Sequence, residues 1–228
     1  MSDAVDALRS TLADVISSAV GRLEYHAELF APVRPHLMGA DGPIRVEGAS
    51  RPVVDDWLNI AVENAATGPD ELRDLAECFQ TAAPELAWKR AYDALDSTPE
   101  LEAYRAHYAW VPIAVPVSLG YASPYAVDDM LVAFTIQAPN VVYPHHHHEA
   151  PELYGVISGA IDWEVGTGPR LTKTPGDVVV HRSSESHSMI TLDQPGLTWA
   201  AWPSHAHSTV YMPTMDPPGT STEPRVYD

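Results

Sequence analysis

From the N-terminus to about residue 110, apolar side chains recur at steps of three and four. Val5, Leu8, Leu12, Val15 and Leu23 form one series, Val54, Trp57, Leu58 and Ala61 a second, and Leu72, Leu75, Ala76 and Phe79 a third. Each series lies on one stripe of a helix, the stripe that seeks a core. The stretch "STPELEAYRAHYAW" opens as another helix: Ser97 or Thr98 caps it, and Pro99 sits where a missing N–H costs nothing. Tyr104, Tyr108 and Leu101 would form its apolar stripe. Four or five helices are expected here, as a packing jacket rather than a catalytic unit.

After "AWVPIAVP" the period falls to two. In "DDMLVAFTIQAP", Met130, Val132, Phe134 and Ile136 alternate with Leu131, Ala133, Thr135 and Gln137. The runs "NVVYPHHHH", "ELYGVIS", "AIDWEVG", "DVVVH", "HSMITL" and "LTWAAW" follow, punctuated by Gly, Pro, Asn or Asp. Short strands at that spacing predict an antiparallel sandwich or barrel. The expected organisation is a helical region over 1–110 that packs on a β-barrel over 111–212. A Pro- and Thr-rich extended tail with little to bury completes it over 213–228.

Composition narrows the picture. The 228 residues are enough to bury a core without disulfides, and Cys78, the one cysteine, cannot form one internally. It falls in a helical pattern and reads as core packing. With 13 basic against 31 acidic residues the formal charge is −18, which opposes nucleic acid and anionic membrane surfaces as partners. The start "MSDAVDALRS" lacks the basic and apolar segments of a secretory signal. No stretch approaches the ~20 apolar residues of a membrane span. A soluble cytoplasmic protein is expected.

The chemistry concentrates in "YPHHHHEAPELYGVISG", residues 143 to 159. A mid-chain run flanked by strand patterns is no expression tag. Alternate side chains share a strand face, so His146 and His148 point one way, His145 and His147 the other. Glu152 follows four residues after His148, across a kink at "EAP". Farther on, a Pro-Gly turn feeds "DVVVHRSSESHSM", with His187 eleven residues after Gly176. His146, His148, Glu152 and His187 together offer three imidazoles and a carboxylate. Such a set suits Fe(II), Mn(II), Ni(II), Co(II) or Zn(II) and leaves positions open for water or substrate. His181 is a weaker candidate to line the pocket, and His205 and His207 are expected at a rim.

The spacing His146-x-His148-x3-Glu152-x6-Gly159 resembles the first conserved motif of the cupins, and "PGDVVV…H" resembles the second. That likeness implies a double-stranded β-helix, the jelly-roll barrel of the cupins, preceded here by helices. Asn140 stands where cupins usually carry glycine, and it tolerates left-handed backbone. In the second motif Arg182, Ser184 and Thr191 replace the customary proline, glycine and asparagine. The fuller pattern Tyr-Pro-x-His-x-His-x3-Glu-x-Tyr resembles the cupin-type dimethylsulfoniopropionate lyases, which split that osmolyte into dimethyl sulfide and acrylate. By that likeness His146, His148, Glu152 and His187 are metal ligands, Tyr154 is the base, and Tyr143 is a pocket tyrosine that orients substrate or assists.

The residue types fit a β-elimination. A proton leaves the carbon beside the carboxylate and a neutral sulfide departs, so one base suffices. A phenol titrates at ~10, and a nearby divalent cation lowers that value. A metal-bound substrate carboxylate would also share the developing charge. Trp163, Trp199, Trp202, Tyr143 and Tyr125 are candidates for an aromatic wall against the sulfonium cation. Two alternatives remain open: another metal-dependent cupin enzyme, such as an Fe(II) dioxygenase or an isomerase, and a non-enzymatic small-molecule-binding cupin. A homodimer is also expected, from the helical region and exposed sheet edges.

Overall fold

The computed structural model describes residues 3–92, 98–212 and 225–227. The N-terminal part contains α1 (Asp3–Gly21), the short α2 (Ala27–Phe30) and α3 (Val33–Met38), then α4 (Pro52–Ala65) and α5 (Asp70–Ala82). The three apolar series fall on α1, α4 and α5, with Leu23 just beyond the end of α1 against the same core. In α6 (Pro99–Ala106), Thr98 is the cap, its hydroxyl accepting from the Leu101 N–H at 3.2 Å; Ser97 lies outside the described residues. Tyr108 departs from the helical expectation. It opens β1 (Tyr108–Val115), because the β-rich run "YAWVPIAV" finds a strand partner from its first residue onward.

The remaining strands are β2 (Tyr125–Ala126), β3 (Leu131–Gln137), β4 (Val142–His146), β5 (Glu152–Ser158), β6 (Ile161–Val165), β7 (Leu171–Lys173), β8 (Val178–His181), β9 (His187–Thr191), β10 (Gly196–Trp202), β11 (Val210–Met212) and β12 (Arg225–Tyr227). A six-stranded sheet runs β2-β1-β3-β10-β5-β8, and a four-stranded sheet runs β4-β9-β6-β7. Every strand pairing is antiparallel except the short β1–β2 pair. This is the mainly β, double-sheet barrel with N-terminal helices that the strand rhythm implied. β7 escaped notice, since three residues are too few to show a period. Of the tail over 213–228, Arg225–Tyr227 alone is described, and it pairs with β11.

The six-stranded sheet is buried on both faces, and alternation assigns its side chains to two cores. Leu153 and Ile157 of β5, Val132, Phe134 and Ile136 of β3, and Leu197 and Trp199 of β10 face α1, α4 and α5. Tyr154 and Val156 of β5 and Ala200 of β10 point the other way, into a second cluster with Ile161, Trp163 and Met189 of the four-stranded sheet. The helices therefore hold one face of the sheet rigid while the other face lines the barrel. Among the described residues, no helix is long and apolar enough to cross a membrane.

The turns that aim the site keep their backbone despite the altered residues. Asn140 and Ser184 have φ of 58° and 61°, the left-handed region that glycine would enter without cost. Thr191 ties the first turn down: its hydroxyl donates to the Ala138 carbonyl at 2.5 Å and accepts from the Val141 N–H at 3.1 Å. At Gly155, opposite Trp199, an added Cβ would meet the indole at 2.2 Å. Gly155→Ala is therefore expected to destabilise the fold by about 1–3 kcal/mol, through overpacking, in a chemical denaturation series.

Candidate metal centre

Two cross-strand pairs, one from each sheet, build the site. His146 of β4 lies opposite His187 of β9, and Glu152 of β5 lies opposite His181 of β8. His148 follows two residues beyond the end of β4, on the same side as His146. All five side chains are buried, none more than 3% exposed. His145 faces outward to Ser186, Ser188 and Glu164, and His147 stacks on Tyr211. His205 and His207 lie on the surface by Ser204 and Ser118.

Each of the three clustered imidazoles is oriented by a backbone carbonyl. The Nδ1 atoms of His146, His148 and His187 stand 2.9, 2.9 and 2.8 Å from the carbonyl oxygens of Pro144, Ala150 and Glu185. A carbonyl only accepts, so Nδ1 carries the proton and Nε2 is left with a bare lone pair. Glu152 Oε2 lies 3.3 Å from Nε2 of both His148 and His187. Acceptors thus confront acceptors, and those two buried nitrogens have no hydrogen-bond partner. Left so, each such group costs about 1–3 kcal/mol. A divalent cation between them removes the conflict. His146, His148 and His187 offer ligand atoms within 4.8 Å of one another, as do Glu152, His181 and His187. The nitrogen and oxygen donors, without thiolate, fit a transition metal of the Fe, Mn, Ni, Co or Zn kind.

The rest of the barrel mouth is aromatic. The ring of Tyr143 stacks on His146 at 4.2 Å, and Tyr104 stacks on Tyr143 at 4.6 Å. The phenols of Tyr143 and Tyr92 are hydrogen-bonded. Tyr154 packs between Trp163 and His181, with ring centroids 5.0 and 5.7 Å away. Trp202 lies 4.2 Å from the His148 ring and donates its N–H to Glu152 Oε1 at 2.7 Å. Burial, then the charge of Glu152, pushes the Tyr154 phenol well above its ordinary value. Burial alone would raise Glu152, but the imidazoles of His148, His181 and His187 around it hold it well below the usual carboxylate range.

Several residues stand elsewhere than their sequence context suggested. Tyr125 and Trp199 belong to the helix-facing core, and the Tyr125 hydroxyl donates to Asp6 at 2.7 Å, so neither forms the aromatic wall. Tyr92 and Tyr104 enter the site from the region read as a jacket, and Tyr108 joins them at the start of β1. Arg105 holds this entry in place by donating to the carbonyls of Ala91 and Tyr92. Three tyrosines within 92–108 were the one available signal, and helical spacing alone could not say which way they face. His181 and Trp202, candidates for the pocket lining, both turn out to hold Glu152, a contact that only the strand register reveals.

A jelly-roll barrel with imidazoles and a carboxylate gathered inside it is a cupin. The chain also belongs to the dimethylsulfoniopropionate lyase family, whose model matches residues 12–198. It is 32% identical to dimethylsulfoniopropionate lyase DddQ of Ruegeria pomeroyi over 85 residues, 37% of this chain and 42% of that protein. It is 23% identical to the putative lyase DddL of Cereibacter sphaeroides over 183 residues, 75% of this chain and 72% of the other. The fold matches the crystal structure of Ruegeria pomeroyi DddQ at a TM-score of 0.56 and 19% identity, covering 91% of this chain and 95% of that one. It matches a chain from the structures of lyases RdDddP and RnDddQII at 0.60 and 20% identity, covering 99% and 100%.

Burial, then the neighbouring His187, holds His181 down to about 4, against 6.5 for a free imidazole. His146 is lowered by burial as well. Between those values the unfolded chain binds protons that the folded one refuses, so stability falls as pH drops from ~6.5 toward 4. Thermal denaturation of chelator-treated protein should show that decline. At neutral pH a divalent ion at a hundred times its Kd should add about 2.7 kcal/mol, a gain that shrinks on acidification as protons compete for the imidazoles.

Proposed function

We propose that this protein is a metal-dependent carbon–sulfur lyase that cleaves dimethylsulfoniopropionate to dimethyl sulfide and acrylate. His146, His148, Glu152 and His187 hold the ion, Tyr154 takes the proton, and Tyr143 orients the substrate. The observation that carries the reading is the position of Tyr154 beside the acceptor cluster, two residues from Glu152 and buried with it. Family membership supplies the substrate class.

A divalent cation, when bound, would supply positive charge that anchors a carboxylate, favours phenolate over phenol and counters the charge left as a proton departs. The chain's own residues do the rest. Tyr154 Oη removes a proton from the carbon next to the substrate carboxylate. The electron pair forms the new double bond as the carbon–sulfur bond breaks, and the sulfide leaves neutral, needing no acid. Tyr143 is fixed for its role by the hydrogen bond to Tyr92 and the stack on His146. Trp163 and the tyrosines exclude water from the buried base and present aromatic faces to the sulfonium end, each contact contributing about 0.5–2 kcal/mol.

Headspace sampling of purified, metal-loaded protein with the sulfonium substrate is expected to detect dimethyl sulfide. Tyr154→Phe should lower turnover about 10²–10⁴-fold while the ion stays bound. Retained turnover in that variant would remove Tyr154 as the base, and absence of gas from the metal-loaded wild type would remove the lyase reading.

A further inference from the structure

The structure carries one more imidazole than the four-ligand set uses. His181 is fully buried, 2.8 Å through Nδ1 from Glu152 Oε2, and stacked on His187 with ring centroids 3.6 Å apart and planes at 15°. By distance alone it is a ligand candidate, together with Glu152 and His187. Its other nitrogen decides the matter. Nε2 lies 3.0 Å from Nε1 of Trp163, and an indole N–H only donates. Nε2 must therefore accept, Nδ1 must carry the proton, and a protonated nitrogen has no lone pair for a metal.

Resting on the ligand set proposed above, we infer that His181 is a positioning residue outside that set. Trp163, from the opposite sheet, locks its tautomer, and its Nδ1–H fixes the oxygen of Glu152 that faces His148 and His187. Trp202 fixes the other oxygen. With a donor on each oxygen, the carboxylate can neither rotate away nor exchange the oxygen it presents. The chain of contacts is Trp163 to His181 to Glu152, and it spans the barrel from β6 through β8 to β5. Donation to Oε2 also draws electron density from the ligating atom, so the spectrum of a bound ion should respond to it.

Cobalt(II) is the probe, on the full chain, with its Kd read by chelator competition and its environment by visible absorption. His181→Phe should weaken binding about 10–100-fold and shift the bands. His181→Asn, whose amide nitrogen reaches the place of Nδ1–H, should restore binding to within about threefold of wild type, although it fills less space. Trp163→Phe frees the tautomer without removing the imidazole, and its affinity should fall between wild type and His181→Phe. A folded His181→Phe with unchanged Kd and spectrum overturns the inference, as does His181→Asn binding no better than His181→Phe. If His181→Phe does not fold, a tenfold or greater loss in His181→Asn, or an unchanged Trp163→Phe, overturns it instead. Failure of the ligand set itself is read separately: wild type would take up no cobalt, or His187→Ala would bind it as tightly, and the inference would fall with it.

Discussion

The imidazole lone pairs of His148 and His187 face the Glu152 carboxylate inside a barrel, with His146 beside them, and neither ring places a proton in between. Most of the architecture follows from keeping that unfavourable arrangement in place. Each imidazole is turned by a main-chain carbonyl within two residues of it, that of Pro144 in β4 and those of Ala150 and Glu185 in the connections next to β5 and β9, so the orientation is set by backbone. Side chains holding one another could relax together. Main-chain carbonyls within or next to paired strands are less free to, and the acceptors stay confronted until a cation relieves them.

That rigidity has to come from somewhere other than the site, because a buried polar cluster opposes folding. The alternation of β5 and β10 supplies it. Leu153, Ile157, Leu197 and Trp199 pack on the helices, and Tyr154, Val156 and Ala200 face the barrel interior. Gly155 lets the Trp199 indole lie flat on β5 directly behind Tyr154, so the helix-facing core reaches the backbone of the strand that presents Glu152 and Tyr154. The helical region is thus a mechanical support. Through Tyr92 and Tyr104 it is also part of the site wall.

The sequence shows these features unevenly, for physical reasons. The helical stripes, the period-two runs and the His146/His148 alternation are local patterns, and all of them reappear in the structure. The second histidine stretch preserves only a spacing, yet the left-handed backbone at Ser184 and the hydroxyl of Thr191 do the work of the glycine and asparagine they replace. Contacts that depend on register were illegible: Glu152 meets His181 because β5 pairs β8 in one particular alignment. Aromatic placement was the least legible. Trp199 and Tyr125 sit on strands like Trp163 does, and only the packing partner of each face tells a core indole or phenol from one in the pocket.

The crowd of tyrosines raises a question of selection: four buried tyrosines and the partly buried Tyr92 gather at the cluster, and desolvation pushes each phenol upward. What separates Tyr154 is the cause that ranks next. For Tyr154 it is the charge of Glu152, whereas the other phenols come next under the influence of one another or of a hydroxyl neighbour. Neutralising Glu152 therefore lifts the influence that stands next to burial at Tyr154 and lowers that phenol, while Tyr92 and Tyr108 feel the same charge behind other neighbours. Under the proposed function, the residue that helps hold the ion also tunes the base, and it does so because the strand period puts both on one face two residues apart.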